Sequence, residues 1–218
     1  MPDILERDIV MGTFTRRTQY LPGLLDSVKQ YLPEAPLIIK VNEGGINKNM
    51  EMLRQDFLCT DKRFWVFLDD DIRFMDSDIL KVAVHNLVTH KVAMVGVYST
   101  FDPEYKLGSD SLTFNEVPWT PGYFMMVDRN LVGNIKPDLN LPDANTSVDT
   151  SYCISIRHAG FKIGISPSVV YHTYKRVLFN QDIGEKTNEY LKAKWGDFYF
   201  NNTGRLANIV GSIPKEYE

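Results

Sequence analysis

The sequence predicts an α/β protein built on a mainly parallel sheet with helices on both faces, and three observations carry that prediction. Apolar runs of strand length alternate with segments of helical periodicity from residue 8 to residue 98. One of those runs, Phe64-Trp65-Val66-Phe67-Leu68, is apolar at every position, as suits a strand covered on both faces, and it opens directly onto Asp69-Asp70-Asp71. The 218 residues, 44% hydrophobic and 24% charged, suit one soluble domain with a substantial core and not a disordered or fibrous chain.

In order, strands are expected at residues 8–14, 36–41, 63–68 and 92–98, with helices at 20–32, 47–58 and 77–90 between them. The third helix shows its apolar face as Ile79, Leu80, Val82, Ala83, Leu87 and Val88, and Asp76-Ser77-Asp78 directly before it is expected to cap it. A polar stretch at 99–121, rich in Gly, Pro, Asp and Asn, then breaks the alternation, and loops of that length are often functional. Beyond it come an apolar run at 123–127, an irregular stretch at 134–146, a helix at 148–159, a strand at 162–172 and an amphipathic helix at 184–195. The chain is therefore expected to be one domain of two halves, about 1–98 and about 99–218.

Charge and cysteine content narrow the function. A formal charge of −4 supplies no basic field, so strong nonspecific nucleic-acid binding is not expected. Cys59 and Cys153 have neither metal-type spacing nor a dense disulfide pattern and are expected to be buried free thiols in a reducing compartment. No stretch approaches the roughly 18 uninterrupted apolar residues of a membrane span, so no integral membrane segment is expected and a cytoplasmic location is.

The three adjacent aspartates repel one another and lose hydration beside a buried strand, which costs stability unless a cation or basic partner offsets it. Carboxylate oxygens are hard ligands suited to Mg²⁺ or Mn²⁺, which keep positions open for substrate phosphates. The alternative that Asp69, Asp70 and Asp71 merely cap the next helix is weakened by Asp76-Ser77-Asp78, which stands closer to it.

Further pieces agree with this one. Val148-Asp149-Thr150-Ser151-Tyr152-Cys153 is followed by Arg157-His158-Ala159-Gly160-Phe161-Lys162-Ile163 and by Val169-Val170-Tyr171-His172, that is, an acidic helix start, a glycine turn and a strand-end histidine. Together with Asp69-Asp70-Asp71 at the end of an earlier strand, this order resembles a GT-A fold glycosyltransferase, family 2-like, over residues 8–195. The resemblance implies a Rossmann-like nucleotide-binding half, a smaller acceptor-binding half and a closing C-terminal helix. It implies that Asp69-Asp70-Asp71 is the DxD motif, with Asp69 and Asp70 toward the nucleotide sugar and Asp71 as metal ligand, joined by His172. Asp149 matches the general base of inverting members, although an acid in a helix's first turn is also what the macrodipole favours. Val148 stands where the family pattern usually has glutamate, so this chain lacks any acceptor contact made through that side chain.

The same resemblance places Thr13 and Arg16 at the first strand end, Glu43 and Asn47 at the second, and Lys194 on the closing helix as nucleotide-side residues, with Trp119 and Gly122 on the acceptor side. His85, His90 and His158 read as ordinary helix residues. The implied activity is Mn²⁺- or Mg²⁺-dependent transfer from a nucleotide sugar, a UDP-sugar above all, to a hydroxyl on a saccharide, lipid-linked glycan, protein or modified nucleobase. Retaining transfer is a subordinate alternative, because one fold serves both outcomes. A sugar-nucleotide pyrophosphorylase would want a glycine-rich basic loop near the N-terminus, where Met11-Gly12-Thr13-Phe14-Thr15-Arg16-Arg17 offers one glycine. A lectin-like module with a structural cation would have no need of the separate Asp149.

Overall fold

The computed structural model describes residues 6–15, 18–42, 44–101, 113–143, 147–173 and 181–198. Their order is β1 (Ile9–Thr15), α1 (Leu21–Tyr31), β2 (Leu37–Val41), α2 (Ile46–Leu58), β3 (Phe64–Leu68), β4 (Ile72–Phe74), α3 (Ile79–Thr89), β5 (Met94–Thr100), β6 (Asn115–Glu116), β7 (Phe124–Asp128), α4 (Arg129–Val132), α5 (Val148–His158), β8 (Ile163–His172) and α6 (Gln181–Trp195). Every strand and helix expected from the sequence is present within a few residues of its expected bounds. The short elements β4, β6 and α4 were not foreseen. Each has two to four residues, too few to show a period of its own.

The strands form one sheet in the order β2-β1-β3-β7-β5-β8-β4, with β6 alongside β8. β1, β2 and β3 run parallel, β5 and β8 run parallel, and β7 lies antiparallel between β3 and β5. The two parallel blocks therefore point the same way. β3 is buried on both faces through strict alternation: Phe64, Val66 and Leu68 join a core with α1 and α3, while Trp65 and Phe67 join a second core with α2 and α5. Within the second core, Phe57 meets Phe67 edge-on at 5.2 Å between ring centroids and Tyr152 meets Phe67 at 6.1 Å, so α2 and α5 are keyed to the same strand.

Local chemistry sets the helix starts. α2 follows Gly44 and Gly45, whose φ values of 94° and 110° fall where a side chain would be strained, so this pair is the turn that α2 needs. Asp78 occupies the N-cap position of α3, but its side chain makes no capping bond. Asp76 Oδ1 instead accepts from the Asp78 amide at 2.8 Å, and Asp78 pairs with Lys81 at 3.4 Å, which corrects the expected cap. The cysteine expectation also needs correcting, because Cys153 is buried while Cys59, just beyond the end of α2, is exposed. No described helix is long and apolar enough to cross a membrane.

Candidate functional site

Because the two parallel blocks share a direction, β1, β2, β3, β5 and β8 all finish at one edge of the sheet, and the antiparallel β7 begins there. β5 pairs with β7 only at Met94 and Val95, then follows β8 with a register shift between Val97 and Tyr98. The sheet thus opens beyond Val95. Asp69, Asp70 and Asp71 cross this opening from the end of β3 to β4, which pairs with β8 through Ile72 and His172. A crevice at the carboxyl ends of strands is where ligands bind in such sheets.

The turn is tied down at both ends. The Asp69 amide donates to Tyr123 O at 3.1 Å, extending the β3–β7 ladder by one bond. The Asp71 carbonyl accepts from the Thr173 amide at 2.8 Å and from the Thr173 hydroxyl at 2.7 Å. With both peptide ends held, the side chains converge. His172 Nε2 lies 3.1 Å from Asp71 Oδ1, and ligand atoms of Asp69, Asp71 and His172 all fall within 4.8 Å of one another. Adjacent ligands around a six-coordinate Mg²⁺ or Mn²⁺ stand about 3 Å apart and opposite ones about 4.2 Å, from bond lengths near 2.1 Å. Two carboxylate oxygens and one imidazole nitrogen therefore fit such an ion and leave positions for phosphate oxygens.

Electrostatics agree with the geometry. Burial pushes the Asp69 carboxyl up to about 7, and the charges of Asp71, Asp149 and Asp70 push the same way against the opposing pull of His172. His172 itself is raised: burial lowers it, but the hydrogen bond to Asp71 and the charges of Asp71 and Asp69 outweigh that.

Asp149 opens α5, behind Ser147. Its Oδ2 accepts from the Gly122 amide at 3.1 Å and its Oδ1 from the Thr150 amide at 2.8 Å. A Cβ at Gly122 would stand 3.2 Å from the Asp149 Cβ, a tight contact that would press on the carboxylate's stem. Asp149 is also close enough for its charge to act on Asp69. The second half of the chain thus brings its carboxylate to the metal-type cluster of the first.

The other expected site residues fall in different surroundings. Thr13 is buried in β1 beside Leu68, and among the described residues nothing bonds its hydroxyl. Asp70 lies half-buried within the turn. Asn47 is buried and donates to the Asp138 carbonyl at 3.2 Å. Lys194 pairs with Asp138 Oδ2 at 2.7 Å and supplies the counter-charge that this buried carboxylate needs. Trp119 packs in part against the second core. Arg16 and Glu43 lie outside the described residues.

Two residues that shape these surroundings were missed, and the part played by Tyr123 at the metal-type cluster was not foreseen. Thr173 acts through its amide and hydroxyl and Tyr123 in part through its carbonyl, which leave no sequence pattern. Asp138 sits in an irregular stretch and is revealed as a hub only by its distant partners.

No protein-family model and no curated protein sequence matches the chain. Solved structures do share its fold. A197 from STIV superposes with a TM-score of 0.57 at 17% identity, over 77% of this chain and 86% of that one. The Staphylococcus aureus TarS 1–349 structure in complex with UDP-GlcNAc gives 0.60 at 14% identity, over 85% of this chain and 66% of that one. GalNAc-T7, solved with UDP, GalNAc and Mn²⁺, gives 0.63 at 13% identity over 88% of this chain and 49% of its own. The mannosyltransferase PcManGT of Pyrobaculum calidifontis, solved with GDP-Man and Mn²⁺, gives 0.56 at 13% identity, over 78% of this chain and 58% of its own. The fold is that of the GT-A glycosyltransferases, and this chain spans about half to two thirds of the three transferases named.

Proposed function

We propose that the protein is a metal-dependent glycosyltransferase that moves a sugar from a nucleotide sugar, a UDP-sugar, to an acceptor hydroxyl with inversion. The observation that carries this reading is the meeting of Asp69, Asp71 and His172 with Asp149 at the strand-end crevice. Asp71 and His172 would ligate Mn²⁺ or Mg²⁺, with Asp69 and Asp70 toward the donor. Bound there, the cation supplies charge neutralisation for the departing diphosphate. Asp149 accepts the proton of the acceptor hydroxyl as its oxygen bonds to the anomeric carbon and the sugar–phosphate bond breaks on the opposite face. The Gly122 amide fixes one oxygen of that carboxylate. On the nucleotide side, the buried Thr13 hydroxyl is open to a donor or water partner. Arg16 and Glu43 keep their sequence-based roles, as do Asn47 and Lys194 on the nucleotide side and Trp119 with Gly122 on the acceptor side.

The lack of basic surplus and of a described membrane-spanning helix is consistent with a cytoplasmic enzyme acting on a saccharide, lipid-linked glycan, protein or modified base. Calorimetric titration of UDP, with GDP for comparison, with and without Mn²⁺, tests the reading. UDP binding that requires Mn²⁺ and disappears in Asp71→Ala is expected. No nucleotide binding under any of these conditions refutes the proposal and favours a structural-cation module.

A further inference from the structure

We infer that Tyr123 is the positioning residue of the metal site: one side chain and its own carbonyl hold both ends of the triad. The inference rests on the metal role proposed above. Asp69 arrives from β3 and His172 from β8, and these two strands do not pair with one another. The β4–β8 pairing and the Thr173 bonds to the Asp71 carbonyl fix the Asp71 end of the turn to His172, which leaves the Asp69 end to be held.

Tyr123 stands immediately before β7 and touches both. Its carbonyl accepts the Asp69 amide at 3.1 Å, and its ring lies 5.4 Å from the His172 ring, tilted by 51°. Its hydroxyl donates to Val97 O on β5 at 2.8 Å, which anchors the ring across the opening in the sheet. Phe101 stacks on His172 at 5.6 Å with the planes 14° apart, so two aromatic rings set the orientation of the imidazole. The residue before Tyr123 extends the same strap, since the Gly122 amide holds Asp149. Two consecutive residues therefore bring the metal ligands and the proposed base into one frame.

A residue that orients a ligand changes metal affinity when it is lost, typically by about 10- to 100-fold, whereas a residue that only fills space changes stability alone. The experiment is titration of the full chain with Mn²⁺ alone, followed by the electron paramagnetic resonance signal of the free ion. Tyr123→Leu removes the ring and the hydroxyl but keeps the carbonyl, and should weaken Mn²⁺ binding about tenfold. Tyr123→Phe keeps the ring and should stay within about threefold of the unmodified protein. Val132→Ala, a buried site on α4 at the other end of β7, is the control: it should lower thermal stability and leave Mn²⁺ affinity unchanged. Tyr123→Leu that binds Mn²⁺ as well as the unmodified protein overturns the inference. If Tyr123→Leu does not fold, Tyr123→Met, with similar reach and no planar face, is judged by the same two outcomes. Failure of the functional reading is seen separately, as an unmodified protein that binds no Mn²⁺ at all.

Discussion

Two carboxylate clusters in this molecule differ in how their charge is met. Around Asp138, an ammonium at 2.7 Å, the Tyr190 hydroxyl at 3.3 Å and the Asn140 amide at 3.1 Å converge on a side chain that is only 3% exposed. The Asp138 carbonyl also receives Asn47. The result fastens α6 and the start of α2 to one irregular segment. At the strand-end crevice, Asp71 faces the His172 imidazole, a ligand atom of Asp69 lies within 4.8 Å of both, and Asp149 accepts from the Gly122 amide. A carboxylate met by an ammonium fastens two helices, whereas carboxylates gathered beside an imidazole make a metal-type group.

The largest test of that contrast is Asp71→Ala. It should reduce Mn²⁺ affinity by at least about 100-fold, as expected for loss of a direct ligand when outer partners alone cost 10- to 100-fold. The metal-free protein should melt no lower by circular dichroism than the unmodified protein, because like-charge repulsion is relieved. Lys194→Ala should do the reverse. It leaves the buried Asp138 carboxylate without its ammonium and should cost about 2 kcal/mol in urea unfolding, less than for a fully buried pair because Lys194 is partly exposed. Mn²⁺ affinity should stay as it was.

A weaker signature is the pH dependence of the crevice. Asp69 holds its proton up to about pH 7 in the folded protein, well above the unfolded value of 3.8, so the folded state binds more protons across that window. Its contribution to stability therefore declines as pH rises from about 4 to about 7. His172 adds the same sign: its raised value gives stability below the ordinary imidazole range that is lost as pH rises through the folded value. Melting of the metal-free protein against Asp69→Asn should show the asparagine variant with a flatter profile between pH 4 and 7. Equal slopes would show that the crevice carboxylates are not strained. In the unmodified protein Mn²⁺ affinity should climb as pH rises, since metal and proton compete for His172.

The smallest expected effect is at Asp78. A working N-cap loses about 1 kcal/mol on mutation to alanine, but Asp78 makes no capping bond, so Asp78→Ala should cost less than about 0.5 kcal/mol. A loss of 1 kcal/mol or more in urea unfolding would restore the cap reading.

Much of this arrangement was legible before any coordinates. The unbroken apolar run of β3 fixed a strand covered on both faces, and the aspartates beyond it could only stand at its carboxyl end. The first-half periodicities gave helices on both sides of the sheet, and the resemblance to GT-A glycosyltransferases implied that Asp149 and His172 belonged with Asp69 and Asp71. What the sequence could not show was the direction of β7, the opening of β5 away from it, or the pairing of Lys194 with Asp138.

The physical reason is the range of the forces concerned. Burial pattern and helix period repeat every two or 3.6 residues and are written locally in the chain. Which carboxylate meets an ammonium and which an imidazole depends on partners as far apart as Asp71 and His172, or Asp138 and Lys194, and on backbone groups such as Tyr123 O and the Gly122 amide that every residue carries alike. The sequence by itself determined the elements and the chemistry available at their ends. Only the tertiary structure decided which of those groups came together.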